Sequence, residues 1–206
     1  MYLPKHFESP DQAMTLEIMR THNFATLTSV DADGEPFVTH LPVALTEEGD
    51  TVVLHFHMAK ANPHSAMLRE KRASMVAFLG PHAYMSPSVY ADLRRVPTWN
   101  YIAVHAYGEP VELATNDAKD ALLKSLIAIH EPAYADQWRA LDEKYQTMMM
   151  SAICAFRMTV TKLDGKFKLN QHRPEARAAT VAKYGEGRGT PDEQSLVRWL
   201  ERIAPG

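Results

Sequence analysis

Between residues 24 and 79 the chain reads as strand-like segments separated by turn chemistry, and this pattern limits the fold more than any other feature. Residues 24–30 are rich in β-branched and aromatic side chains. Asp33-Gly34 supplies a turn, and 36–45 continues as a second strand. After the polar run Glu47-Glu48-Gly49-Asp50, residues 51–57 alternate as a third. Asn62-Pro63-His64-Ser65 leads into a short helix at 66–71. Residues 74–79 form a fourth strand, ended by Gly80-Pro81. Strands in runs, without regularly alternating helices, argue against a doubly wound parallel sheet. The expected architecture is mainly β with peripheral helices: a small antiparallel barrel, whose closure removes exposed sheet edges.

The flanking segments complete this expectation. Asp11 can cap a helix beginning near Gln12. Residues 102–113 read as a strand with a bulge or bend marked by Gly108 and Pro110. Leu122, Leu123, Leu126 and Ile127 repeat at helical spacing. Residues 135–150 read as one further helix ending in three methionines, which suit irregular core gaps. A hairpin is expected from 155–161 and 166–169, turning at Leu163-Asp164-Gly165. Pro191 opens a C-terminal helix, and 185–189 reads as a flexible linker. The whole fits one domain over 1–206, with 174–206 as a helical appendage.

Composition narrows the function. A hydrophobic fraction of 46% can fill a sizeable core, and no apolar run approaches the roughly 20 residues of a membrane span. Asp11, Glu17 and His22 interrupt any signal-peptide pattern, so a cytoplasmic location is expected. The single cysteine, Cys154, excludes an internal disulfide and reads as a buried inert thiol. Net charge is -3, without the basic footprint of a nucleic-acid binder. The exception is 166–188, where Lys166, Lys168, Arg173, Arg177, Lys183 and Arg188 face only Glu175 and Glu186. That stretch reads as an anion or DNA contact, or more plainly as a solvated tail.

Two windows concentrate candidate binding residues. Residues 84–90 and 96–101 combine aromatics, hydroxyls, Pro87 and Pro97, and the Trp99-Asn100 pair. Proline rigidity favours extended backbone there, and in a strand Trp99 and Asn100 point to opposite faces. Rigid aromatics beside polar tips suit a flat polar ligand; a packed loop is the plainer reading. In the second window, a strand gives way to a helix between His55 and His64. Lys60 and free amides at the helix start can face a phosphate, although from sequence alone an ordinary surface lysine is the simpler reading.

Four segments resemble the PaiB-type FMN-binding negative transcriptional regulators: 1–7 (Met-Tyr-Leu-Pro-Lys-His-Phe), 84–90, 97–101 followed by His105 and Gly108, and 166–173 (Lys-Phe-Lys-Leu-Asn-Gln-His-Arg). The family's last motif usually reads KLSQNR, so Asn170 and His172 depart from it. The resemblance implies an FMN-binding split β-barrel, antiparallel and Greek-key-like, related to pyridoxamine phosphate oxidase and working as a homodimer. It implies that Lys60 holds the FMN phosphate, helped by Asn62, with His57 along the ribityl chain. By the same resemblance His40, Leu41 and Pro42 are expected along the isoalloxazine ring, and Ser86, Trp99 and Asn100 are expected from the other subunit, Trp99 by the ring and Asn100 at its polar edge.

Other chemistries find less footing. His55 and His57 share a strand face and His64 follows, but no carboxylate is near and no HExxH occurs, so a metal or haem site lacks a complete ligand set. No GxGxxG, P-loop or GxSxG elbow is present. Asp142 and Glu143 read as solvated. Three functions remain: an FMN-binding negative transcriptional regulator of the PaiB type, a flavin-dependent oxidoreductase acting on a small molecule, and a haem- or metal-binding barrel. A flavin carries its own redox chemistry, so a missing catalytic motif does not exclude an enzyme.

Overall fold

A computed structural model describes residues 1–203 except Lys71, Leu93, Gly187 and Arg188. Lys71 of the expected second helix, Gly187 of the expected linker and Arg188 of the basic stretch therefore lie outside the described residues. Six strands occur: β1 Phe24–Val30, β2 Pro36–Glu48, β3 Thr51–Ala59, β4 Ser74–Met85, β5 Thr98–Glu112 and β6 Ile153–Lys168. They close a barrel in the order β1-β2-β3-β6-β5-β4, and the β1–β2, β2–β3, β3–β6 and β1–β4 ladders are antiparallel. The helices are α1 Gln12–Thr21, α2 His64–Arg69, α3 Asn116–His130, α4 Tyr134–Ala140, α5 Glu143–Ser151, α6 Arg177–Gly185 and α7 Pro191–Arg202. Their share of the chain nearly equals that of the strands. None among the described residues is long and apolar enough to cross a membrane.

The chain divides into two compact units. The central unit holds His22–Phe78 and His105–Leu163. Strand alternation turns Ala25 and Leu27 inward, and the opposed rings of Phe56 and Phe156 stack 5.8 Å apart in its core. Helix α3 lays Leu122 and Leu126 over Ala44 and Ala155. Gly34 (φ +88°) and Gly49 (φ +61°) make the two hairpin turns anticipated at those positions. Gly108 permits a close approach, since a Cβ there would lie 2.3 Å from the Thr159 carbonyl oxygen. Cys154 is buried, and Arg69 donates to its Sγ at 2.7 Å while also pairing with Glu112.

The other unit holds Met1–Thr21, Leu79–Val104 and Asp164–Gly206. The segment expected as an appendage packs within it. Trp199 meets Phe167 edge-on at 5.5 Å, and Arg202 forks both Glu17 oxygens at 2.7 Å. Thr190 and Glu193 form a capping box on α7. Arg177 donates to the Leu200 and Ile203 carbonyls at the other end of α7.

Three turn or helix expectations fail for identifiable reasons. β4 runs through Gly80-Pro81 to Met85. A Cβ at Gly80 would sit 3.1 Å from the Ile102 carbonyl, so this glycine serves close strand packing. The rungs to β1 end at Ala77, so Pro81 breaks none of them. β6 likewise continues through Asp164-Gly165, where a hairpin was expected. Asp164 accepts the N-terminal ammonium at 2.7 Å, and a Cβ at Gly165 would meet Thr15 Oγ1 at 2.8 Å. The expected helix 135–150 breaks after Ala140, because Asp142 caps a fresh helix through the Tyr145 amide. Within the expected helical appendage, the sequence reading individually anticipates only α7, and α6 precedes it.

Candidate functional site

β2 changes partners in the middle of its length. Its residues 36–42 pair with β1, and 43–48 pair with β3. The rungs from β3 to β2 stop at the Val43–Phe56 pair, whereas the rungs from β3 to β6 continue through Ala59. Extending the first register would set Pro42 opposite His57 and His40 opposite Ala59, but no rung joins them. Pro42 has no N–H to offer, which suits a point of divergence. The barrel is therefore split here, and His40, Leu41, Pro42, His57, Lys60 and Asn62 all border the split within the central unit.

Each of these residues has a distinct state. His40 is exposed and shares a hydrogen bond of 3.1 Å with Thr26 Oγ1. Leu41 is buried and Pro42 half-buried. Lys60 is exposed, and its ammonium has no ion-pair or hydrogen-bond partner among the described residues. The Nδ1 of His57 is buried without a partner. Burial also pushes the His57 pKa down, favouring a neutral ring. A buried ring nitrogen without a partner is costly and marks a place where a ligand hydroxyl fits.

The junction after Lys60 is braced from below by a polar network that sequence reasoning missed. His64 is fully buried, and burial lowers its pKa. Its Nδ1 lies 2.8 Å from Thr39 Oγ1 and its Nε2 lies 2.9 Å from Ser29 Oγ. Ser29 Oγ is 2.7 Å from Ser74 Oγ, which donates to the Arg72 carbonyl at 3.0 Å. Ser74 has one proton, so Ser29 must donate to Ser74, and Ser29 must then accept from His64 Nε2–H. At the other end Asn62 donates to Thr39 Oγ1 at 3.2 Å, and Thr39 donates to Nδ1. Every member is satisfied and the neutral Nε2–H tautomer is fixed. The available signal was alternation: Ser29 and Thr39 occupy inward positions among apolar neighbours.

The expected free amides at the start of α2 are not free. His64 N–H donates to Asn62 Oδ1, Ser65 N–H to the Asn62 carbonyl and Ala66 N–H to the Pro63 carbonyl, each at 3.0 Å. Asn62 is thus a bracing residue for this turn, and Lys60 is the group left to meet an anion.

Ser86, Trp99 and Asn100 belong to the other unit. Ser86 is half-buried and caps a short 3-10 turn through the Ser88 amide. Trp99 is 52% exposed, beside His82 and Tyr84. Asn100 is fully buried on the opposite strand face, so the structure does not bring it to one surface with Trp99. The histidines do not assemble either: His55 bonds Thr46 at 2.9 Å, and both His64 nitrogens are engaged. Among the described residues, no group of three or more His, Cys, Asp or Glu is placed to hold a metal ion.

Residues 1–162 match the family described as "Putative FMN-binding domain". The chain belongs to this FMN-binding family. Across 206 residues it is 29% identical to the protease synthase and sporulation protein PAI 2 of Bacillus subtilis, covering 98% of this chain and 97% of that protein. An uncharacterized Saccharomyces cerevisiae protein is 30% identical over 147 residues, covering 61% of this chain and 86% of its own. Among solved structures, the FAD and heme binding protein of Mycobacterium smegmatis superposes with a TM-score of 0.61 at 19% identity, covering 78% of this chain and 73% of that one. The conserved hypothetical protein Rv2991 of Mycobacterium tuberculosis gives 0.60 at 12% identity, covering 82% and 91%. At these identities the structural likenesses show the fold: a split barrel, as expected.

Proposed function

We propose that this member of the family holds FMN in the split between β2 and β3, with the Lys60 ammonium on its phosphate. The observation that carries this is the split itself, bordered by an unpaired lysine and by the unpartnered buried Nδ1 of His57. His57 would meet a ribityl hydroxyl, and the strand edge at His40, Leu41 and Pro42, paired to β1 but carrying no rung to β3, would lie along the ring. FMN, when bound, supplies its own redox chemistry. The cofactor site is completed in a homodimer, with Ser86 and Trp99 coming from a second copy; the exposed Tyr84 and Trp99 support an apolar interface. Asn100 is left out of this set because it is fully buried on the opposite face.

The regulatory role rests on the resemblance alone. An indirect role fits better than direct DNA contact, because among the described residues the basic stretch offers no continuous free strip: Lys166 is buried against Tyr2 and Tyr101. The same observation favours flavin-dependent reduction or oxidation of a small molecule as the second reading. Titrating wild type and Lys60→Ala with FMN, followed by flavin fluorescence, tests the site. Loss of one charge-assisted contact should cost about 1.5–3 kcal/mol of binding free energy. Equal affinities would remove Lys60 from the site, and no binding by wild type would remove the flavin.

A further inference from the structure

The unit that contains both termini has a cavity of about 410 Å³. All four segments that carry the family resemblance reach it: His6 and Phe7, Tyr90, Thr98 and Asn100, and the 168–173 run. Arg94, Arg95, Lys168 and Arg173 line it, and no carboxylate does among the described residues. Every residue lining this cavity belongs to this unit, whereas the residues bordering the split between β2 and β3 belong to the other.

Among the described residues, three of the four buried polar side-chain atoms that lack a partner belong to its lining: Asn100 Oδ1, Asn170 Nδ2 and Arg95 Nε. Asn100 is fully buried and Asn170 is 8% exposed. Asn100 uses one amide atom on the Tyr184 hydroxyl at 3.0 Å, and Asn170 uses one on the Tyr90 hydroxyl at 2.9 Å. Whichever way either amide is turned, its other atom remains unpaired. Asn170 also holds φ +61°, the only non-glycine residue described with a positive φ. Strain of this kind persists only where surrounding structure fixes it, and it clusters at ligand clamps.

The charge is only partly compensated. Arg173 has no side-chain partner among the described residues, while Arg95 pairs with Asp92 at 3.3 Å and lies over the Tyr90 ring at 5.3 Å. Lys168 donates to Thr98 Oγ1 at 2.6 Å and to the Trp99 carbonyl at 2.5 Å, both neutral. Burial and then Lys166 push the Lys168 pKa down, while burial followed by His6, Arg173 and Lys168 lowers that of His172. His6, Phe7 and His172 form an aromatic wall, with ring centroids 4.1–5.3 Å apart.

We propose that this cavity binds a small planar metabolite bearing a phosphate or carboxylate group. Arg95, Lys168 and Arg173 receive its anion, and the aromatic wall takes its ring. The free amide atoms of Asn100 and Asn170 pair with its donor and acceptor groups. The volume falls within the usual ~300–1,000 Å³ range of small-molecule pockets.

The test uses phenyl phosphate and benzoate as probes, titrated calorimetrically into the full chain with and without FMN. Saturable one-to-one binding is expected for at least one probe, at roughly 1 mM or tighter. The stronger probe tells phosphate from carboxylate. Arg173→Gln should weaken binding by about tenfold or more. Asn170→Gly, which suits the positive φ, should weaken it by about tenfold while moving the melting temperature little, because the relieved backbone offsets the lost Tyr90 hydrogen bond. Lys60→Ala should leave probe binding unchanged. Failure of both probes to saturate would overturn the proposal. So would unaltered binding by Asn170→Gly together with Arg173→Gln. Loss of probe binding in Lys60→Ala alone would assign the probe to the flavin site instead, and displacement by a short random duplex would make the face a nucleic-acid contact. An FMN titration unaffected by Arg173→Gln keeps the two sites distinct.

Discussion

Replacing His64 with phenylalanine tests whether the buried network braces the split. Phenylalanine keeps a ring of similar size and can keep the edge contact with Phe37, whose centroid lies 5.0 Å from that of His64. Two hydrogen bonds disappear. Thr39 loses its acceptor and Ser29 loses its donor. Each lost bond is worth about 1 kcal/mol, and an unsatisfied buried hydroxyl adds about 1–3 kcal/mol, so destabilisation of about 2–5 kcal/mol is expected. Urea unfolding at pH 7.5 measures it. Adding Ser29→Ala and Thr39→Val should recover part of the loss, because apolar partners leave nothing unsatisfied. The pH dependence supplies a second arm. Burial holds the folded pKa of His64 below its unfolded value, so its contribution is present above about pH 6.5 and is lost as pH falls toward the folded pKa. Wild type should lose stability on acidification more steeply than His64→Phe, by up to about 1.4 kcal/mol per pH unit. His55 and His57, also lowered by burial, give both proteins a shared slope of the same sign. A ΔΔG under about 0.5 kcal/mol at pH 7.5, or identical slopes, would refute the network as drawn.

Gly108→Ala should cost about 1–3 kcal/mol, since a Cβ would sit 2.3 Å from the Thr159 carbonyl oxygen and 2.9 Å from Met158 Cγ; thermal unfolding reads it, and an unchanged midpoint would deny the close approach. Light scattering of the FMN-loaded protein at micromolar concentration should give twice the 23.2 kDa chain mass. A monomer retaining flavin would contradict the shared site. In that dimer, Trp99→Ala should weaken FMN binding while leaving chain stability nearly unchanged, because Trp99 is 52% exposed and contributes little to its own core.

Strand identity was legible because alternation and turn residues agree over 24–59. Strand length was not. Gly80-Pro81 and Asp164-Gly165 carry turn composition, yet serve close packing and a terminal ion pair, and one sequence cannot say which use a glycine has. The split was visible only as a cluster of suggestive residues. Its physical basis is a change of ladder partner at Pro42, which depends on how β1 and β3 register with β2. The Lys60 ammonium has no partner among the described residues, and the Asn62 amide reaches both Thr39 and the His64 backbone, a bracing contact that the sequence did not disclose. Asn100 followed strand geometry: its neighbour Trp99 faces out, so it faces in.

The stretch 166–188 shows how a basic run in sequence can dissolve in three dimensions. Lys166 is 8% exposed, donates to the Tyr2 carbonyl at 3.1 Å and lies over two tyrosine rings. Lys168 is turned into the cavity wall, bonded to Thr98 and Trp99, and Arg177 is engaged by the last carbonyls of α7. Lys183 pairs with Glu186 at 3.1 Å, and Arg173 lines the cavity. No continuous face of free cations follows from these placements, and the net charge of -3 opposes a polyanion further. The observed slope of log K against log salt scales as about -0.9 per phosphate neutralised. Fluorescence anisotropy with labelled promoter duplexes, run from about 50 to 200 mM salt, should therefore show weak binding and a slope shallower than about -2. Nanomolar affinity at about 150 mM salt with a slope steeper than about -4 would require at least four neutralised phosphates. The described residues of this stretch do not present four free cations together. Such a result would place the DNA contact elsewhere on the chain and would overturn indirect regulation.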